Sequence, residues 1–355
     1  MNAWLASLVA AATAIDIGAA AAEPYHLLQK IEIVPGDGIF DYVAADSVNR
    51  RVYVSRGEEF VVFDADSNAV VGKLPAPAFD PSYGLGIAGR TTPYMGVHHA
   101  AFAPALGRGF TANGRARTST TFDLKTLAPI AEVKLTGRDP NAVVYDAPTQ
   151  RVFVFNEESN NATVFDAKSG EVLRTIELDG HPAFATSDER GHVFVNLIDK
   201  NIVQRIDARN LKTMEQWPAG CGGPNNETMA IDRKNGRLFV GCRPDARRML
   251  YPPGPRPDRI MTVLDINDGR VVATIPIGGN PDQADYDPEA GLVFSATGRG
   301  ASRSSNNSLR MSTTSWRRLR PSPARRGSQS IPRPTKSSSP TTTPTGPAAA
   351  ARFGS

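Results

Sequence analysis

The sequence predicts an all-β chain, a β-propeller of four-stranded antiparallel blades, and three observations carry that reading. A unit of roughly 40–45 residues recurs along the chain, the length of one propeller blade. Every stretch inside the unit is short, β-branched and aromatic-rich, and is bounded by Gly, Asp, Asn or Pro, which are strand signals. Helical spacing of apolar residues is absent.

The clearest unit lies at residues 140–180. Residues 141–146 form its first strand and lead through a turn to Gln150-Arg151-Val152-Phe153-Val154-Phe155-Asn156. Ala162-Thr163-Val164-Phe165-Asp166 follows, and after Lys168-Ser169-Gly170 the unit closes with residues 172–178. Taking the end of each first strand as anchor gives Asp46, Ala103, Asp146, Asp188, Asp232 and Asp287, spaced by 57, 43, 42, 44 and 55 residues. The two long spacings hold loop insertions at about residues 76–95 and 243–259, the kind of insertion that repeat architectures tolerate. A parallel β-helix needs shorter coils, and a β-sandwich does not repeat in sequence.

Composition bounds the rest. The chain has 355 residues, 40% hydrophobic and 21% charged, enough apolar material for a sizeable core. No uncharged apolar run suits a polytopic membrane protein. Two cysteines, Cys221 and Cys242, exclude a disulfide-rich mini-domain and a four-cysteine zinc site. The net charge of +4 averages two unlike segments. Residues 301–355 hold ten Lys/Arg and no acid, leaving 30 basic against 36 acidic residues before them. The basic character therefore belongs to the tail, and the body shows no clear nucleic-acid site.

The N-terminus reads as an export signal over residues 1–22. Residues 4–14 are apolar, and Ala20-Ala21-Ala22 ahead of Glu23-Pro24 fits a small-residue cleavage site. No Lys or Arg precedes the apolar stretch and Asp16 interrupts it, so an Ala-rich N-terminal helix is the rival reading. Cleavage after Ala22 leaves no membrane span, and the expected location is periplasmic or secreted.

Phe153-Val154-Phe155-Asn156, Tyr53-Val54-Ser55, Phe194-Val195-Asn196 and Phe239-Val240-Gly241 are variants of a Tyr-Val-Thr-Asn repeat. With Gly107-Arg108-Gly109-Phe110-Thr111-Ala112-Asn113-Gly114, they make residues 23–300 resemble the YncE-like, YVTN-type exported propellers of bacteria, a WD40-like architecture. The resemblance implies seven blades and a periplasmic location, but no single chemistry. Cofactors borne by other propeller enzymes do not transfer by fold analogy.

Blade geometry supplies the site. First strands line the central channel, and the loops leading into them open on the same face as the loops between second and third strands. Five residues before each anchor stand Asp41, His98, Asn141, Ala183, Glu227 and Asp282. A ring of Asp41, His98, Asn141, Glu227 and Asp282 at the channel mouth suits a cation or a cationic ligand. The plainer reading is a solvated rim. Strand alternation puts His98 toward the channel and His99 within the sheet, so the two do not chelate one metal.

No His-Glu-x-x-His, Cys-x-x-Cys-His or Gly-x-Ser-x-Gly motif is present, so no recognised catalytic constellation supports an enzyme. The sequence requires no cofactor, and a divalent cation is compatible with the ring. The expected role is a binding or scaffold module, for a protein or a small molecule at the channel face. The rival is a metal-dependent or oxidoreductase-related propeller enzyme using the same channel. A dinucleotide-like glycine pattern at residues 84–89 sits in an inserted loop without strand-to-helix context. Five arginines within residues 243–259 offer a second feature, either a site for an anionic partner or a solvated insertion.

Cys221 precedes the first strand of blade five and Cys242 closes its second strand, at the same end of the blade. An oxidising compartment makes a disulfide the expected state, against two buried thiols. Members of the resembled family often carry a cysteine pair here. The repeat then stops near residue 300, halfway through blade six, leaving a basic Ser/Thr/Pro/Arg-rich tail over residues 301–355. Residues 26–34 read as an outer strand without inner partners, of the kind that completes a last blade. Together these favour a tail translated out of frame relative to an ancestral chain, over an authentic disordered basic tail. Blade seven is expected to be missing or vestigial.

Overall fold

The computed structural model describes residues 29, 31, 40–78, 96–223, 226–243 and 260–297. The expected export signal, the glycine pattern at 84–89, most of the arginine-bearing insertion and the 301–355 tail lie outside the described residues.

The described residues form six antiparallel sheets, each a meander. Blade one comprises β1 (Phe40–Asp46), β2 (Arg51–Arg56), β3 (Glu59–Asp64) and β4 (Val70–Pro75). Blade two is β5 (Val97–Ala103), β6 (Arg108–Asn113), β7 (Thr118–Asp123) and β8 (Pro129–Lys134). Blade three is β9 (Pro140–Asp146), β10 (Arg151–Asn156), β11 (Asn161–Asp166) and β12 (Val172–Glu177). Blade four is β13 (Pro182–Ser187), β14 (His192–Leu197), β15 (Ile202–Asp207) and β16 (Lys212–Pro218). Blade five is β17 (Asn226–Asp232), β18 (Arg237–Cys242), β19 (Ile260–Asp265) and β20 (Val271–Pro276). Blade six is a two-stranded sheet of β21 (Pro281–Asp287) and β22 (Leu292–Thr297).

Neighbouring first strands touch in chain order, from β1 through β5, β9, β13 and β17 to β21. Blades one to five are complete, so the fold is a propeller, while the seven blades implied by the family resemblance are not seen among the described residues. No inner strand lies between β21 and β1 there. Instead the Gln283 carboxamide of β21 spans the join, accepting from Val43 N–H at 3.1 Å and donating to Val43 C=O at 2.6 Å.

Middle strands bury both faces, which explains their near-continuous apolar runs. In β10 the Val152 and Val154 side chains join a cluster with Phe110, Val133 and Leu135 of blade two. Phe153 and Phe155 between them join Val193, Val195 and Leu197 of blade four. Period-two alternation therefore glues each blade to both neighbours. Outer-strand residues such as Val133 and Ile176 pack on the next blade, and Ile31 does the same on blade one, against Val54, Val61 and Phe63. The outer strand expected over residues 26–34 lies, apart from residues 29 and 31, outside the described residues.

The Asp that ends each third strand has a local task. Asp64, Asp123, Asp166, Asp207 and Asp265 each accept a backbone N–H from two residues on, and the first four also accept from three residues on. These are Asx-type turns. The fourth residue past each Asp takes a positive φ, at Asn68, Leu127, Gly170, Leu211 and Gly269. Gly269 is doubly required, because a Cβ there would meet the Trp217 ring at 1.9 Å.

Arginines at the start of second strands bind the following blade. Arg51 donates to the carbonyls of Leu124 and Lys125, Arg108 to those of Ala167 and Lys168, and Arg151 to those of Ala208 and Arg209. Each guanidinium thereby satisfies turn carbonyls in the neighbouring blade. Arg151→Ala is expected to destabilise the chain by about 1–2 kcal/mol, with Arg151→Lys recovering only part of it. Urea denaturation of the three proteins checks this.

Cys221 and Cys242 form the expected disulfide, with Cα atoms 5.4 Å apart. It ties the segment entering β17 to the end of β18, closing a loop of 21 residues by sequence separation. Cross-linking a loop of that length removes denatured-state entropy equivalent to about 3 kcal/mol. Replacing both cysteines by serine is expected to lower the melting temperature by roughly 6–12 °C, read by circular dichroism without reductant.

Candidate functional site

One backbone irregularity builds the channel mouth. In all six sheets the first strand carries one residue more than its partner near its start. The pairing jumps from Phe40 to Val43, Val97 to Ala100, Pro140 to Ala142, Pro182 to Ala185, Asn226 to Thr228 and Pro281 to Gln283. Such bulges re-aim side chains out of the ladder. The skipped residues include Asp41, His98, Asn141, Ala183, Glu227 and Asp282, the second residue of each first strand.

Four of the five polar members take part in a chain of contacts between blades, and Asn141 makes its contact within blade three. His98 Nδ1 is 2.7 Å from Asp41 Oδ2, joining blades one and two. His98 Nε2 is 4.0 Å from Asp139 Oδ1 at the threshold of blade three. Asn141 Nδ2 donates to Glu157 Oε2 at 2.7 Å. Arg243, just past β18, puts Nη1 3.1 Å from Asp282 Oδ1 and 3.7 Å from Glu227 Oε2, joining blades five and six. Ala183 of blade four is buried and contributes no charge.

Asp139, Glu157 and Arg243 are site residues that counting from the anchors misses. Asp139 and Glu157 belong to the two kinds of loop expected on this face. Arg243 opens the arginine-bearing insertion, where it was read only as one of five loop cations. A signal for Glu157 exists in the acidic pair Glu157-Glu158 directly after β10.

The alternation argument fails at the paired histidines. In β1, β5 and β13 the bulge spans two residues, so Tyr42, His99 and Phe184 are released with their neighbours. His99 does not pack within its own sheet. Its ring lies 5.6 Å from Tyr42 and 5.9 Å from Phe184, while Tyr42 and Phe184 meet edge to face at 4.7 Å. Blades one, two and four meet through these rings. His99 Nδ1 also lies 3.2 Å from the Val143 carbonyl oxygen of β9.

The electrostatics follow from burial. Enclosure of the Glu227 carboxyl, with Glu157, Asp282 and Asp41 adding to it against Arg243, raises its pKa to about 7. Burial raises Asp139 to about 6, opposed by His98 and aided by Glu157, Glu158 and Asp41. Asp282 is raised by the same causes, enclosure first and Asp41 after it, opposed by Arg243. Burial works against the His98 cation, but its bond to Asp41 and the charges of Asp41, Asp139 and Glu157 prevail and hold its pKa up. Burial pushes His99 down to about 4, so it is neutral near pH 7. Tyr42 is driven well up by burial and then by Asp41, Glu227, Asp282 and Glu157.

Two buried polar atoms of the mouth have no hydrogen-bond partner, His98 Nε2 and Asn141 Oδ1. His98 is only 8% exposed, so water does not readily satisfy it. Among the described residues no three His, Cys, Asp or Glu side chains group closely enough to hold a metal ion. The carboxylates are spread around the mouth instead.

A raised carboxyl pKa means that the folded state binds more protons than the unfolded one between the two values, so stability falls as pH rises through that window. Glu227→Gln is expected to raise the melting temperature above that of the parent at pH 8 by a few degrees. The gain should vanish near pH 4.5, where the parent carboxyl is protonated in the folded chain. Parallel thermal melts at the two pH values check the sign.

No protein-family model and no curated protein matches the sequence. Solved structures do resemble it. Hydrazine synthase of Kuenenia stuttgartiensis aligns with a TM-score of 0.51 at 19% identity, over 62% of this chain and 62% of that one. The Pan2 WD40 domain of Neurospora crassa aligns with a TM-score of 0.56 at 13% identity, over 73% of each chain. The chain thus spans less than two thirds of the hydrazine synthase chain. At these identities the likeness shows the β-propeller fold and nothing of the chemistry.

Proposed function

We propose that this propeller is an exported binding or scaffold module that takes a positively charged ligand at the channel mouth. The observation that carries the reading is the mouth itself. Six bulges turn the second residue of each first strand out of its ladder, and five of those six residues are polar. Asp41, Asp139, Glu157, Glu227 and Asp282 come together at the mouth with one guanidinium, that of Arg243, and the His98 ring. Carboxyls held above their usual range are paid back by a cation, because a positive charge restores the ionised form that burial disfavours. A solvated rim has no need of a buried His98 with an orphaned ring nitrogen.

The bonded cysteine pair supports export, since such bonds persist in oxidising compartments. The Tyr-Val-Thr-Asn-like strand motifs support membership of the YncE-like group. A metal-dependent enzyme in the same channel remains the competing class. Stoichiometric metal in protein purified from a periplasmic fraction, lost on Glu227→Ala with Asp282→Ala, is the finding that would favour it.

Thermal-shift measurements at pH 8 and low salt, with calcium chloride, spermidine, butylamine and citrate as separate probes, test the proposal. At least one cation is expected to raise the melting temperature, with the shift reduced in Asp41→Asn and lost on lowering the pH to 5. Stabilisation by citrate alone would overturn it and turn attention to the arginine-bearing insertion.

A further inference from the structure

We infer that the mouth takes the guanidinium group of an outside ligand beside Glu227, Asp282 and Asp41, and that Arg243 holds that place in the free protein. This rests on the cationic-ligand reading and sharpens it, by naming the group that binds and the residue that it displaces. The place is built where blades five, six and one meet. Asn226 pairs with Cys242 across β17 and β18, so Glu227, skipped by the bulge, and Arg243, just past the strand, leave the ladder at the same end. On the other side the Gln283 carboxamide bonds the N–H and C=O of Val43. That sets Asp282, one residue before Gln283, beside the bulged stretch of β1 that carries Asp41.

One guanidinium does not balance these acids. Asp41 is bonded to the His98 ring, and Arg243 serves both Glu227 and Asp282 through a single nitrogen. Its Nη1 lies 3.1 Å from Asp282 Oδ1, a hydrogen bond, and 3.7 Å from Glu227 Oε2, which is too far for one. Arg50 shows the fuller grip elsewhere in the chain, with Nε and Nη2 both donating to Asp66. A planar fork closing on a carboxylate through two nitrogens is the stronger arrangement. Arg243 lacks it, and Glu227 and Asp282 keep raised pKa values in its presence.

Arg243 is held at its root and weakly at its tip. The bond from Cys242 to Cys221 fixes the backbone beside it. Its side chain is 32% exposed and that of Asp282 57%, so the pair stands open to water. An ion pair of that kind contributes little, because water competes for both charges and a long side chain must be ordered to make it. Displacing it therefore costs little. Glu227, the more covered of the two acids at 13%, receives no hydrogen bond from Arg243 and gains most from a guanidinium that reaches it. A guanidinium arriving from outside is not tied to β18 and can turn its fork onto either carboxylate. An ammonium, a point charge without a fork, has less to gain in the same place.

Calorimetric titration of the full chain at pH 8 and low salt, with butylguanidinium and butylamine as separate probes, tests this. A resident competitor lowers the apparent affinity by the share of chains whose site it fills. Arg243→Ala is therefore expected to bind butylguanidinium roughly fivefold more tightly than the parent does, and roughly threefold more tightly than it binds butylamine. Arg243→Gln, which keeps much of the side chain without its charge, should show the same gain, and adding Asp282→Asn to Arg243→Ala should abolish it. The tripeptide amide Gly-Arg-Gly separates the two sources of the group. Tighter binding than butylguanidinium supports the site with an arginine side chain as ligand, and equal binding supports it with a small molecule. Unchanged or weaker binding of butylguanidinium by Arg243→Ala would overturn the inference, because removing a merely structural arginine yields no gain. Butylamine matching butylguanidinium in that variant would overturn the choice of group while leaving a cation site standing. No binding of any probe by parent or variants would remove both this inference and the reading it rests on. Circular dichroism melts separate lost binding from lost folding, and Arg243→Gln carries the test if Arg243→Ala does not fold.

Discussion

Each first strand in this propeller holds one residue too many for its partner, and the channel mouth follows from that mismatch. The extra residue cannot join the ladder, so its side chain is turned out of the alternation that governs the rest of the strand. The mismatch recurs at the same place in six sheets and turns the second residue of each first strand out of its ladder. Where it spans two residues, in β1, β5 and β13, it also releases Tyr42, His99 and Phe184, whose rings meet across blades. The turned-out polar residues and the cluster of rings are two products of one backbone feature.

Aspartates in this chain divide by what surrounds them. Asp64, Asp123, Asp166, Asp207 and Asp265 cap turns, accept backbone N–H groups, and have their pKa values lowered. Asp139 and Asp282 at the mouth are raised, because enclosure is not matched by amide donors and other carboxylates stand nearby. The first group is satisfied by the turn that it builds. The second lacks such amide donors, and Asp282 meets the Arg243 guanidinium instead.

The blades hold this arrangement in place by repeated means. Valines and phenylalanines alternate along the middle strands and pack on opposite neighbours, while Arg51, Arg108 and Arg151 reach the turn carbonyls of the next blade. At the join, among the described residues, a side chain bridges the two blades. Gln283 bonds both main-chain groups of Val43, as His99 approaches those of Val143 between blades two and three. The disulfide plays a matching part in blade five, where Cys242 positions the adjoining Arg243 against Glu227 and Asp282.

The strands, their four-fold grouping and the turn aspartates were determined by sequence, because each depends on neighbours a few residues away. Period-two patterning and turn chemistry are local properties, and a repeat of them identifies the blade. Counting back from the end of the first strand also lands on the bulged positions Asp41, His98, Asn141, Glu227 and Asp282, since the distance along a strand is fixed whatever the strand packs on. The bulges had no comparable signature. They placed His99 against Tyr42 and Phe184, where strict alternation assigns it to the sheet. Asp139, Glu157 and Arg243 joined the site through loop paths that depend on the neighbouring blade. Spacing along one strand is set by its own covalent geometry, but a ring across six blades, and the charge each carboxyl keeps within it, exists only once the sheets have packed.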